Sequence, residues 1–379
     1  MIPVCEPQLT PEDMEMVSDC LRSGWISSTG KYIDEFESRW SAYCGMPHGI
    51  SVSNGTAALQ IAVELLDLQP GDEVILPSFT IISVARAVIQ CGGTPVLVDS
   101  NRDDWQMNVE QIADRVTSRT RAIIVVHTYG HPANMDPILE IARRHNLMVI
   151  EDAAEAHGAE YRERKCGGIG DISIFSFYAN KLITTGEGGM VLVRDSSLAR
   201  RARSLRNLCF QSGRRFQHQE LGHNFRLTNL QAALGVSQLN RLETTIARKR
   251  EIAAGYRREL ADEPDLIFPV EQRWAKSVNW VSGLLVNQSD GSDAAQISTW
   301  LAERGVETRP FFWGMHEQPV FQRMGLFKGQ KFPVTERLAR QGLYLPNGLS
   351  LTDSHLTETC RLVKEYLHQR PEAFGKQRA

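Results

Sequence analysis

Asp152, Ser176 and Lys181 share the stretch Val149 to Met190, VIEDAAEAHGAEYRERKCGGIGDISIFSFYANKLITTGEGGM. Asp152 closes a short apolar strand, Ser176 sits in a second apolar run from Ile172 to Tyr178, and Lys181 follows five residues later. A lysine among apolar neighbours is desolvated, which lowers its pKa, and the neutral amine adds to carbonyls. A carboxylate at the end of a strand in an open α/β sheet faces the crevice where such sheets bind ligands. An amine, a carboxylate and a hydroxyl offered to one crevice suit pyridoxal phosphate. Its aldehyde takes a lysine, its protonated ring nitrogen takes an acid, and its phosphate takes hydrogen-bond donors.

Elements are needed to bring these groups together. Apolar runs within Gly71 to Thr80, after a turn, and at Pro95 to Asp99, Ala122 to Val126 and Leu147 to Asp152 alternate with stretches of helical spacing at Ser83 to Gln90, Asn108 to Val116 and Pro137 to Asn146. Such alternation predicts a mostly parallel sheet covered by helices on both faces. Upstream, Asn54-Gly55 leads into a helix expected over Thr56 to Leu66, and this is either an ordinary cap or a helix N-terminus open to an anion. Asn229 to Leu260 reads as one long helical stretch, and strands at Trp280 to Val286 and Val306 to Arg309 with helices at Ala294 to Arg304 and Asp353 to His368 predict an α+β lobe after it. His127 and His131 follow a strand but are given no catalytic role. No G-x-G-x-x-G follows the first strand, which argues against a dinucleotide-binding reading.

The motifs EDAAEAHGA, SFYANK and TTGEGGM resemble the central signature of the nucleotide-sugar aminotransferases, the DegT/DnrJ-like group of fold type I pyridoxal phosphate enzymes. The resemblance implies an α/β large cofactor-binding domain over 1–245 and a smaller C-terminal α+β domain over 246–379. It makes Lys181 the residue that bonds the cofactor aldehyde, Asp152 the ring-nitrogen partner, Ser176 a phosphate ligand and Glu155 the neighbour of the ring hydroxyl. Gly55 and Thr56 become the phosphate cup. Ile81 stands where the family usually carries an aromatic over the ring and would pack there without π stacking, with Phe79 as the alternative. The polar loop Arg214 to Asn229 is expected to cross to a neighbouring subunit, so that Asn224 meets that subunit's cofactor phosphate, with Arg226 and Asn229 beside it. A homodimer with shared sites follows, or a tetramer built from it.

Within that family the likeness is to the perosamine-forming branch. It implies amination at C4 of GDP-4-keto-6-deoxymannose with L-glutamate as donor, for surface polysaccharide or O-antigen. The loop WISSTG, with Trp25 and Ser28, would open toward the sugar. The segment Arg309 to Pro319, with Arg309 and His316, would lie over the sugar-nucleotide, although an arginine before an aromatic cluster also reads as core beside a surface charge. UDP- and dTDP-linked keto-sugars remain alternatives, as does a non-catalytic regulator. A dehydratase of the same fold would carry histidine in place of Lys181.

The composition sets few other demands. A net charge of −3 and a pI near 6.4 give no reason to expect a nucleic-acid or anionic-membrane surface. Arg200, Arg201, Arg203 and Arg206 read as a solvated helix face. Seven scattered cysteines without a C-x-x-C pair predict neither a disulfide framework nor a zinc site. The N-terminal residues show no leader pattern, and a cytoplasmic protein is the expectation.

Overall fold

The computed structural model describes residues 1–211, 213–214, 216–287 and 294–374. Strands β1 (His48–Val52), β2 (Glu73–Pro77), β3 (Thr94–Val98), β4 (Thr120–Val126), β5 (Met148–Asp152), β6 (Ile172–Ser176) and β7 (Gly189–Val193) form one sheet in the order β1-β7-β6-β5-β4-β2-β3. Strands β3, β2, β4, β5 and β6 pair in parallel, whereas β7 pairs antiparallel with both β6 and β1. The mostly parallel α/β sheet is therefore present, with β7 as its one reversed strand. The reversal has a local cause. Instead of a helical crossover, β6 and β7 are joined by a short loop closed by hydrogen bonds between Phe177 and Gly188 (2.8 Å) and between Thr185 and Phe177 (2.9 Å). That loop carries Lys181 and returns the chain beside β6.

Alternation along the buried strands divides the side chains between two faces. Ile124, Val126 and Ile150 join Ala58, Ile61 and Ala62 of the helix Gly55–Glu64 in one core. Ile123, Val125 and Val149 join Met135, Ile138 and Ala142 in another. Asp152 falls on the face of the Gly55–Glu64 helix, and Glu151 falls on the opposite one.

The expected helical stretch from 229 to 260 is two helices, Asn229–Asn240 and Leu242–Glu259. Arg241 breaks it at φ −117° and ψ 13°, and its guanidinium is held by Asp13 (2.9 Å) and the carbonyl of Gln8 (3.1 Å). Apolar periodicity carries no sign of that tether. The first turns of Leu242–Glu259 add Leu242 and Ile246 to the aromatic core around Trp40, while Ile252, Tyr256 and Leu260 enter the core of the smaller lobe. A division at residue 245 thus falls inside this helix.

The smaller lobe is an antiparallel sheet of β8 (Leu266–Ile267), β9 (Ser282–Val286), β10 (Arg309–Pro310) and β11 (Gly342–Leu345), in the order β8-β9-β11-β10. The strand expected over 306–309 contracts to β10, because Val306 instead bridges Ile2 from the start of the chain. Arg203 and Arg206, expected on a solvated face, are half-buried, and both reach Glu37. No helix among the described residues is long and apolar enough to cross a membrane.

Candidate active site

A cleft of about 1090 Å³ opens at the C-terminal ends of β4, β5 and β6. The structure brings Gly55, Thr56, Ile81, Asp152, Glu155, Ser176 and Lys181 into its wall. These residues come from the first turn of the Gly55–Glu64 helix, the loop after β2, the end of β5 and the loop after it, the end of β6, and the β6–β7 loop.

The phosphate-sized end is built by close approach. A Cβ on Gly55 would lie 2.7 Å from Ser176 Cβ, and one on Gly189 would lie 2.5 Å from the Asn54 carbonyl oxygen, so side chains at either position would collapse this corner. Asn54 caps the helix by accepting from the Ala57 N–H (2.8 Å), and the first main-chain bond runs from Ala58 to Asn54 (3.1 Å). The N–H groups of Gly55 and Thr56 are therefore left outside the helix ladder, next to the Ser176 hydroxyl and at the positive end of the helix dipole. An anion fits there.

The other end is buried and acidic around one amine. Lys181 Nζ lies 4.0 Å from Glu155 Oε1 and 3.9 Å from the ring centre of Trp280. Burial pulls the Lys181 pKa down against the attraction of Glu155 and Asp152, moving it toward the nucleophilic neutral amine. Burial also pushes the Asp152 carboxyl up to about 6, opposed by the Ala154 N–H (3.1 Å) and the charge of Lys181. Glu155 is pushed up to about 7 by burial, although Lys181 and the Tyr129 N–H (2.7 Å to Oε2) favour its charged form. Tyr129 holds that N–H in place at φ 59°, a strained value for a non-glycine residue. Behind them His157 is wedged against Trp40, Phe175 and Phe177, and burial drives its pKa to about 3, so the ring stays neutral.

Taken together, the corner offers N–H and hydroxyl donors for a phosphate, an aliphatic wall at Ile81, a buried carboxylate and a desolvated amine. This donor set fits pyridoxal phosphate.

The remaining expected residues lie elsewhere. Asn224 is exposed and outside its own chain's cleft wall, although its neighbours His223 and Phe225 line it. Arg226 donates to Asn207 (2.7 Å). Asn229 is buried and pins the WISSTG loop through the carbonyls of Trp25 (2.7 Å) and Ser27 (2.6 Å). Trp25 is exposed and Ser28 half-buried, and neither touches the cleft of its own chain. Arg309 pairs with Glu307 and borders a second cavity rather than the main cleft. His316 is not brought to the cleft: it is buried with one ring nitrogen on Ser78 Oγ (3.0 Å) and the other on Glu336 (3.1 Å). Phe79, the alternative to Ile81, is fully buried against Tyr129, Phe311 and Phe312.

Sequence reasoning missed Trp280, Phe312 and Tyr344, which complete the wall from the smaller lobe. Only the aromatic cluster after Arg309 carried a signal of them. His127, given no catalytic role, is fully buried and engaged by Glu151 (2.9 Å) and the Ala133 N–H (3.0 Å).

Comparison with known proteins gives consistent findings. The DegT/DnrJ/EryC1/StrS aminotransferase family matches residues 7–364. GDP-perosamine synthase of Escherichia coli O157:H7 is 39% identical over 365 residues, covering 96% of this chain and 98% of that protein. The putative pyridoxal phosphate-dependent aminotransferase EpsN of Bacillus subtilis (strain 168) is 32% identical over 369 residues, covering 96% and 94%. The crystal structure of DesV from S. venezuelae superposes with a TM-score of 0.86 at 35% identity, covering 94% of each chain.

Proposed function

The chain belongs to the DegT/DnrJ/EryC1/StrS aminotransferase family and is a pyridoxal phosphate-dependent transaminase, and on that premise we propose that it aminates C4 of GDP-4-keto-6-deoxymannose with L-glutamate as donor. The product would be GDP-perosamine, made in the cytoplasm for a surface polysaccharide such as O-antigen. The near full-length similarity to a GDP-perosamine synthase carries the choice of substrate.

Bound pyridoxal phosphate supplies an aldehyde that exchanges amines and a ring that accepts the electron pair left when a C–H proton departs. The N–H groups of Gly55 and Thr56, with the Ser176 hydroxyl, bind its phosphate. Asp152 holds a proton on the ring nitrogen and so keeps the ring electron-accepting. Glu155 would hold the ring hydroxyl, and Ile81 would lie against the ring. Lys181 would hold the cofactor through its amine, and its desolvated Nζ would move the proton at the donor's Cα, acting in the opposite sense for the sugar. Trp280 and Phe312 close the smaller-lobe side against water. In a homodimer, Asn224 reaches the neighbouring copy's cofactor phosphate, a reading supported by its exposure and its place outside its own cleft.

Two measurements test this. Borohydride reduction followed by peptide mapping should place the pyridoxyl group on Lys181, and a label on another lysine removes the assignment. Turnover against GDP-, UDP- and dTDP-linked 4-keto-6-deoxysugars should favour the GDP compound, and preference for either of the others overturns the substrate.

A further inference from the structure

Tyr129, just after β4, bonds to both halves of the cleft wall. Its N–H donates to Glu155 Oε2 (2.7 Å) on the large-lobe side, and its phenol oxygen accepts from the Phe312 N–H (3.3 Å) on the smaller-lobe side. The ring is buried, with its centre 4.7 Å from that of Phe311 and stacked at 5.3 Å on Phe312. Gly130 repeats the pattern one residue on. Its carbonyl accepts from the Val278 N–H (3.0 Å) and from Ser277 Oγ (3.0 Å), in the segment that leads to Trp280 and its ring 3.9 Å from Lys181 Nζ. Both residues have left-handed backbones, Tyr129 at φ 59° and ψ 19° and Gly130 at φ 87°. Glycine takes that conformation freely, and a Cβ at 130 would lie 2.7 Å from Val278 Cγ2. Tyrosine carries a steric penalty there.

A strained backbone persists only where its surroundings over-determine it. A tyrosine that merely filled space would have no use for a positive φ. Here that φ turns the N–H onto Glu155 while the ring and phenol stay seated in the smaller lobe, and a return to negative φ would turn the N–H away. Glu155 is faced by Lys181 Nζ at 4.0 Å, by Asp152 at the end of β5, by Tyr344 of β11 and by the Tyr129 N–H. Among the described residues, the Tyr129 N–H is the group that hydrogen-bonds its carboxyl. We propose that Tyr129 is a positioning residue for Glu155: its anchorage in the smaller lobe holds the left-handed turn, and the turn delivers the N–H that favours a charged Glu155. The acid beside the cofactor is then set by the same lobe that supplies the aromatic wall. For its bearing on the reaction, the inference rests on the reading of Glu155 as the partner of the ring hydroxyl.

The test is carboxyl-carbon NMR of the cofactor-free, full-length chain, which reads Glu155 and Asp152 together. Tyr129→Phe removes the bond to Phe312 and keeps the ring. Glu155 should then titrate about one pH unit higher, a roughly tenfold loss of its preference for the charged form. Asp152, whose hydrogen bond comes from Ala154, should move much less. Tyr129→Ala and Tyr129→Gly empty the same space and differ in the cost of a left-handed backbone, so glycine should keep Glu155 closer to its wild-type titration than alanine does. In the holoenzyme, the absorption band of the bound cofactor, followed against pH, should shift with Glu155 in Tyr129→Phe. The inference is overturned if Tyr129→Phe folds with Glu155 unmoved, if Asp152 moves as far as Glu155, or if the alanine and glycine variants titrate Glu155 alike. Should either truncation fail to fold, Tyr129→Phe decides alone. A cofactor band that ignores Glu155, with the Glu155 shift in the cofactor-free chain intact, breaks the ring-hydroxyl reading and leaves the coupling through Tyr129 standing.

Discussion

Two carboxylates that are neighbours in β5 meet opposite fates. Glu151 is fully buried, and its oxygens accept from the N–H groups of Gly167 (2.8 Å), Ile169 (2.7 Å) and Gly170 (2.6 Å) and meet His127 Nε2 at 2.9 Å. Burial alone would raise its pKa, but His127 and these N–H groups reverse that and hold the carboxyl below its usual range. Asp152, one residue on, has a single N–H from Ala154, and burial wins, lifting it to about 6. The strand pleat sends one side chain into a finished internal network and the other into a cleft. A buried carboxylate whose lone pairs are all engaged anchors a fold. One left under-engaged at a strand end, with a single N–H and only the nearby charge of Lys181 to favour its ionised form, is open to a further cationic partner, which is the role proposed for it toward the ring nitrogen.

The strongest way to sharpen this contrast is to remove the amine that faces Asp152. Lys181→Ala should cut transamination by more than about 10⁴-fold. It also deletes the charge that holds the Asp152 pKa down, so the Asp152 carboxyl should titrate still higher, while Glu151 on the other face should not move. An NMR titration of side-chain carboxyl carbons in the cofactor-free variant checks both. Turnover close to wild type would remove Lys181 from the chemistry.

Asp152→Asn should lower kcat by about 10³-fold, since an amide cannot keep the pyridinium charged. The cofactor-free variant should be at least as stable as the wild type, because a poorly solvated charge has gone. Glu151→Gln should do the reverse. It leaves the cleft intact but puts an amide where three N–H donors and His127 expect an anion, at a cost of about 2–4 kcal/mol of stability. Urea unfolding and kcat measured on both variants decide the matter. If Glu151→Gln loses more activity than stability, the division between anchor and reagent fails.

Much of this contrast was legible in the sequence. Apolar alternation up to Glu151-Asp152 placed the pair at a strand end, and the spacing of Ser176 and Lys181 put a hydroxyl and an amine into the same crevice. The helix Ser83–Gln90 matches its expected bounds. The parts that were not legible depend on distant partners. The break at Arg241 comes from Asp13, the loss of a strand at Val306 comes from Ile2, and the burial of His316 comes from Ser78 and Glu336. The smaller-lobe wall at Trp280 and Tyr344 is formed by residues far from Lys181 in sequence, and no local periodicity reports that contact. Asn229 was read by resemblance as a neighbour of the phosphate contact, and its hydrogen bonds to the WISSTG loop appear only in three dimensions.

The smallest effect, and the finest test of the contrast, is its pH dependence. In the cofactor-free protein the Asp152 carboxyl titrates near 6, above its ordinary value of 3.8. The folded chain therefore binds more protons than the unfolded one between those values, and the contribution of Asp152 to stability falls as pH rises through that window. Glu151 has the opposite sign: its folded pKa is depressed, so its contribution is present above the ordinary 4.5 and is lost as pH falls through the lower folded value. Cofactor binding follows Asp152. A carboxylate can hold the ring-nitrogen proton and a protonated carboxyl cannot, so affinity for pyridoxal phosphate should be level above pH 6 and weaken below it. The slope should approach tenfold per pH unit, or about 1.4 kcal/mol. Equilibrium titration of the cofactor-free protein between pH 7 and 5 measures this, with Asp152→Asn as the control. That variant should lose the bend near pH 6 and bind weakly throughout. If the bend survives in Asp152→Asn, the titrating group is another one, with Glu155, pushed up to about 7, as the next to replace by glutamine.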